Sequence, residues 1–128
     1  TMNDSPIPVL GELETAVLDH LWQHQRASAK TIHAALGQQR RCSLSTVQST
    51  LERLHRKQLV SRRKTSHAYT YAPCVEREAL VARLMRDVLK RFNGDFAASL
   101  SAFVGTSDDL DQETLEKLEA LLRERHDG

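Results

Sequence analysis

The side chains able to do chemistry in this chain are hydrogen-bonding and cationic rather than nucleophilic. Residues 26–67 hold ten Lys or Arg against a single acid, Glu52. Inside that block stand Ser45, Thr46, Gln48 and Ser49, all short or polar. Each can donate or accept a hydrogen bond, and their size lets a backbone approach closely. Such a set suits base edges in a major groove: Gln pairs with adenine, and a Thr methyl can meet the thymine methyl. Arg40, Arg41 and Ser43 precede them, Arg53 and Arg56 follow, and a second basic cluster comprises Arg62, Arg63, Lys64, Thr65 and His67. These are candidates for phosphate contacts, which add affinity without sequence information. The blander alternatives are a basic edge that only blocks strand pairing and arginines that only keep a loop soluble.

The elements that must position these residues follow from periodicity. Residues 12–24 carry Leu13, Ala16, Val17 and Leu21 at helical spacing. Residues 29–36 form a second short helix, with Ser28 as N-cap, Gly37 as its C-terminal stop, and Ile32, Ala35 and Leu36 facing inward. Residues 38–42 are a polar, basic connection. A third helix spans about 44–58, with Ser43 as N-cap or Ser45 and Gln48 as a capping box. On its wheel Val47, Leu51 and Leu54 face the core, while Ser45, Ser49, Glu52 and Arg56 lie opposite. Glu52 pairs with Arg56 at i+4 or accepts from a cytosine amino group, the pair being favoured. Alternation through 60–64 and 68–72 around a polar turn at Thr65–His67 predicts two strands, ended by Pro73. The order helix, helix, helix, hairpin is a winged helix-turn-helix: a mainly α fold, three helices plus a two-stranded wing.

The remainder reads as helix. Val81, Leu84, Met85, Val88, Leu89 and Phe92 make one stripe along 76–93, which Asn93-Gly94 stops. A short helix at 95–104 carries Phe96, Leu100, Phe103 and Val104. Asp111 caps a last helix, 112–125, edged by Leu115, Leu118 and Leu122. A first arm helix of about 27 Å is long for so small a unit. Either it folds back on the N-terminal domain or two copies interlock. A stripe that long left in water is an aggregation liability, which favours a helical dimerisation arm. The expected organisation is a flexible tail at 1–8, a DNA-binding domain at 9–74 and a dimerisation domain at 75–128.

Charge follows the same division. Residues 1–75 carry ten Lys or Arg and five acids; residues 76–128 carry eight and twelve. A basic folded half suggests a polyanion partner and an acidic helical half a protein partner. The polar start has no basic-then-apolar signal and no run reaches membrane-helix length, so the expected location is the cytoplasm, with no membrane partner. Cys42 and Cys74 are isolated thiols. Cys42, beside two Arg at a helix start, is either an ordinary thiol or a redox-responsive one, and Cys74 is expected to pack at the domain junction. His20 and His24 share a helix face without two further ligands in reach, so no metal is expected. No phosphate loop, nucleophile elbow or catalytic carboxylate pair is present; neither enzyme activity nor a cofactor is expected.

The runs LGELETAVLDHLW, SLSTVQSTLERLHRKQLVSRRK and AYTYAP, followed by AFVGTSDDLDQETLEKLEALL, resemble the penicillinase-repressor (BlaI/MecI/CopY) family of bacterial transcriptional regulators over about residues 10–123. The resemblance implies a homodimer that binds an inverted-repeat operator and blocks transcription. In the β-lactam branch it also implies relief by a sensor-linked protease that cuts an Asn-Phe step. Ala102-Phe103 stands at that place, so the candidate proteolysis site departs from the pattern. The copper branch has a Cys-rich tail, and no cysteine follows Cys74. The wing tip has Thr65-Ser66-His67 and no glycine. Because fold does not fix function, a winged-helix module for protein contact, or an architectural DNA protein, are the rival readings.

Overall fold

The computed structural model describes residues 10–92, 94–106, 108 and 110–127; the expected tail at 1–8, and Asn93 of the expected helix stop, lie outside the described residues. In order, the elements are α1 (Glu12–His24), β1 (Ala27–Ser28), α2 (Ala29–Arg40), α3 (Leu44–Arg56), β2 (Val60–Thr65), β3 (Ala68–Pro73), α4 (Arg77–Arg91), α5 (Phe96–Thr106) and α6 (Gln112–Asp127). Two compact units are present, one ending at Val88 and the other starting at Leu89.

The first unit is a winged helix. Val17, Leu18 and Leu21 of α1, Ile32 of α2, and Val47, Leu51 and Leu54 of α3 are fully buried and meet Leu59, Val60 and Tyr71 at the root of the wing. Each large apolar side chain so buried contributes about 1.5–3 kcal/mol, and this cluster makes the three-helix core rigid enough to hold a surface helix in place. β2 and β3 pair antiparallel from Val60↔Pro73 to Thr65↔Ala68, leaving Ser66 and His67 as the turn. Ser66 supplies the left-handed residue, φ 57°, that a glycine would ordinarily provide. β1 adds a third strand through Ala27↔Tyr71 and Ser28↔Thr70, in the order β1-β3-β2. The sequence pattern does not predict β1: two residues have no periodicity, and they become a strand only by pairing with β3.

Several helix ends differ from expectation. α2 does not stop at Gly37 but continues to Arg40, with Arg41 as its C-cap in the left-handed region, φ 51°. The supposed basic connection at 38–42 is therefore largely the last turn of a helix. Ala35, expected inward, is exposed. α3 ends at Arg56 rather than near 58. In α4 the fully buried residue is Leu80, one position before the predicted stripe, and Leu84 packs beside it against the winged-helix core. Trp22 Nε1 donates to the Val75 carbonyl at 2.9 Å, and the Arg77 guanidinium lies over its ring and bonds Asp19 at 2.6 Å. Those contacts fasten the start of α4 to α1.

In the second unit, no side chain of α5 or α6 is buried. Asp111 Oδ1 accepts from the Thr114 N–H at 2.8 Å, the N-cap expected for α6, and that bond holds its carboxyl below the usual range. Phe92 is 77 % exposed and Leu122 66 %, and Phe96, Leu100, Phe103, Val104, Leu118 and Leu121 are also exposed. In α4, Val81, Met85 and Val88 are exposed too, whereas Leu89 and Leu115 are half-buried. Ala102 and Phe103 lie inside α5, both exposed. No helix among the described residues is long and apolar enough to cross a membrane.

Candidate nucleic-acid interface

The site is built on α3. Ser43 Oγ accepts the Thr46 N–H at 3.1 Å, satisfying an amide that the first turn would leave orphaned. Ser45 and Thr46 hydroxyls also bond Ser43 Oγ, at 3.1 and 3.0 Å. With Val47, Leu51 and Leu54 buried, the opposite face is forced outward: Ser45, Thr46, Gln48 and Ser49 are all exposed, as are Arg53 and Arg56. The helix thus presents uncharged hydrogen-bonding groups near its start and cations near its end. A major-groove helix is organised this way, with its N-terminal residues at the bases.

The cations divide into free and committed ones. Arg40, Arg41, Arg56, Arg63 and Lys64 are exposed and enter no ion pair among the described residues. Arg53 is exposed and donates to Thr50 Oγ1 at 3.1 Å. Thr50 itself is fully buried and donates to the Thr46 carbonyl at 2.8 Å. It is a supporting residue that pattern reasoning passes over because a helical Thr looks like any other polar position. Arg62 is different. It does not project freely from the wing: Nη1 bonds Glu52 Oε1 at 2.6 Å and the guanidinium lies 4.3 Å from the centre of the Tyr69 ring. The Glu52 carboxylate keeps this guanidinium more firmly protonated than usual. Glu52 therefore pairs with the wing and not with Arg56 at i+4. The contact was invisible locally because it joins two elements ten residues apart.

The wing tip lies across a recess from α3. Ser28 and Lys30 at the start of α2, Gln48 of α3, and Thr65, His67, Tyr69 and Tyr71 of the wing line this recess. Gln48, a predicted base reader, thus shares this concave surface with the wing. Thr65 and His67 are exposed there, and Thr65 Oγ1 bonds Thr70 Oγ1 at 3.2 Å.

At the far end of α3, Lys57 Nζ bonds Glu14 Oε2 at 2.7 Å, and Gly11 N–H donates to the other carboxylate oxygen at 3.1 Å. Burial alone would push Glu14 up, but Lys57 and the Gly11 amide outweigh it and hold the carboxyl below its usual value. The remaining candidates do not converge on the site. His20 and His24 rings stack at 4.3 Å, His20 Nε2 is buried with no hydrogen-bond partner among the described residues, and burial with the neighbouring His24 pushes the imidazole below its usual range. No group of three or more metal-ligating side chains exists among the described residues. Cys42 is half-buried just ahead of α3. Cys74 is exposed rather than packed at a junction; its thiol donates to the Gln58 carbonyl at 3.1 Å.

Comparison with known proteins gives a consistent result. The sequence profile described as penicillinase repressor matches residues 10–124. The transcriptional regulator BlaI of Mycobacterium tuberculosis is 40 % identical over 98 residues, covering 74 % of this chain and 71 % of that protein. The methicillin resistance regulatory protein MecI of Mammaliicoccus sciuri is 25 % identical over 117 residues, covering 91 % of this chain and 94 % of that one. Among solved structures, the DNA-binding domain of the repressor BlaI, determined in solution, superposes with a TM-score of 0.52 at 23 % identity, covering 59 % of this chain and 92 % of that domain; this likeness speaks to fold.

Proposed function

The chain belongs to the penicillinase repressor family, and on that premise we propose that it is a homodimeric, sequence-specific DNA-binding transcriptional repressor acting on an inverted-repeat operator. The observation that carries the reading is the outer face of α3: Ser45, Thr46, Gln48 and Ser49 exposed at its capped start, with exposed cations on both sides. Ser45, Thr46, Gln48 and Ser49 read base edges. Arg40, Arg41, Ser43, Arg53, Arg56, Arg63, Lys64, Thr65 and His67 hold the phosphates. Arg62 sets the wing against α3. The exposed apolar residues of α4, α5 and α6 supply the surface through which two copies pair, and a two-fold pair places two reading helices on adjacent half-sites.

Repression is relieved by an antibiotic- or stress-linked signal acting on the second unit through a sensor-linked protease. Ala102-Phe103 departs from the Asn-Phe step and lies within a helix, so a cut at that bond would also require α5 to unwind locally.

Selection of bound duplexes from a random pool tests the proposal. The expected winner is a dyad-symmetric site. Gln48→Ala and Ser49→Ala change the preferred sequence, whereas Arg63→Ala weakens every sequence alike. Diffuse selection, or equal losses on cognate and scrambled duplexes for all three variants, refutes it.

A further inference from the structure

Gly37 sits in the last turn of α2, where the chain neither bends away nor adopts a positive φ. Its reason lies in the space above it. A Cβ built there would stand 2.6 Å from His33 Nε2 and 3.2 Å from the Cys42 carbonyl oxygen. The His33 ring occupies that space and bonds the Cys42 oxygen at 3.0 Å. A carbonyl only accepts, so Nε2 carries the proton and donates. The Cys42 N–H in turn donates to the Gly37 carbonyl at 3.1 Å, a bond reached through the left-handed Arg41. Both backbone groups of Cys42 are therefore held by α2, one residue before the Ser43 cap from which α3 begins.

From this geometry we infer that His33 is a positioning residue for base reading. By tying the Cys42 carbonyl to α2 it sets the direction in which α3 leaves the turn, and Gly37 is glycine so that the ring can lie there. The leverage follows from helix dimensions. Ser49 is six residues beyond Ser43, about 9 Å along the axis. A tilt of roughly 10° at the cap would displace it by about 1.5 Å, more than the working range of a hydrogen bond. Phosphate contacts from long, flexible Arg and Lys tolerate such a shift; Ser45, Thr46 and Ser49 do not. The inference rests on the proposed DNA-reading function and adds to it a specificity determinant that touches no base.

The test uses the full chain, a duplex selected from a random pool by the unmodified chain, and a scrambled duplex of the same length. His33→Ala and Gly37→Ala are expected to lower the cognate-to-scrambled affinity ratio about tenfold, with scrambled affinity and salt dependence unchanged. His33→Gln, which keeps a donor at similar reach, retains most of the ratio, and His33→Asn, too short, does not. The double variant His33→Ala/Gly37→Ala is no worse than Gly37→Ala alone, because the ring that the new Cβ would meet is gone. An unchanged ratio in His33→Ala with only a lower melting temperature overturns the inference, as do additive losses in the double variant or failure of His33→Gln to outperform His33→Asn. If the unmodified chain selects no sequence, the DNA-reading function falls as well; if it selects one and the variants keep the ratio, only the role of His33 falls.

Discussion

Two adjacent arginines of the wing should behave differently in salt. Arg62 is bonded to Glu52 and lies over Tyr69, whereas Arg63 is exposed and enters no ion pair among the described residues. Each phosphate neutralised by a protein cation contributes about −0.9 to the slope of log affinity against log salt. Arg40, Arg41, Arg53, Arg56, Arg63 and Lys64, if all engaged, set an upper bound of about −5.4 per chain and about −11 for a bound pair. Arg63→Ala removes about 0.9 per chain, or about 1.8 per pair. Over a fourfold rise in salt, the advantage of the unmodified chain over Arg63→Ala should therefore shrink about twelvefold. Arg62→Ala should leave the slope unchanged while loosening the wing, so that its loss of affinity is the same at every salt concentration. Fluorescence anisotropy titrations of the selected duplex over that range measure both. Equal reductions in slope for the two variants would mean that Arg62 leaves Glu52 to meet phosphate, and the division between free and committed cations would be wrong.

Other outcomes follow from the same geometry. The Glu14 carboxyl is held below its ordinary value of 4.5, so its contribution is fully present above that pH and is lost as pH falls through the lower folded value. Glu14→Gln should cost on the order of 1–2 kcal/mol near neutrality, between exposed and buried pair values, and should flatten the acid limb of urea denaturation midpoints; an unchanged acid limb contradicts this. His20 is displaced below its ordinary 6.5, so between those two values the unfolded chain binds the extra proton and stability falls as pH drops. His20→Leu should melt close to the unmodified chain at pH 7 and lose less on acidification below about 6.5, with a parallel pH profile counting against it. For the arm, Phe92→Asp combined with Leu122→Asp should convert a pair into monomers by sedimentation while the far-ultraviolet spectrum and the melting of the winged helix persist; a pair that survives both changes places the interface elsewhere.

How much of this was legible before the structure depended on whether a residue's partner was local. The exposed face of α3 was readable because Val47, Leu51 and Leu54 define the buried side by periodicity alone, and because Ser43 caps within its own turn. The hairpin is readable from alternation, but its closure is one residue tighter than the pattern predicts: Thr65, expected in the turn, pairs with Ala68 at the end of β2. Gly37 was misread because a glycine near the end of a helical pattern resembles a stop; its actual constraint, the His33 ring, is a contact made across the turn. For Glu52 the local pattern favours the i+4 pair with Arg56 over a contact to a cytosine, because a single helix cannot show the wing's Arg62. β1 and Leu80 were missed for a related reason: each acquires its environment from a distant element, β3 in one case and the winged-helix core in the other.

The non-local contacts share one consequence. α3 is fixed at its start by the Ser43 cap and the His33 bond to Cys42. The wing is fixed to its middle through Glu52 and Arg62, and its end is fixed to α1 through Lys57 and Glu14. If α3 reads bases as proposed, restraint at three points hinders it from re-aiming to recover contacts at a wrong base pair. Mismatches in the selected site should then each cost about 1–3 kcal/mol and add independently across positions. A helix held only by its apolar face could instead shift to share the loss among positions, and substitutions in the operator would be less than additive. Measured additivity at two base pairs facing Ser45 and Ser49 therefore reports directly on how rigidly this scaffold holds α3, and strong sub-additivity in the unmodified chain would show that the three anchors do not act together.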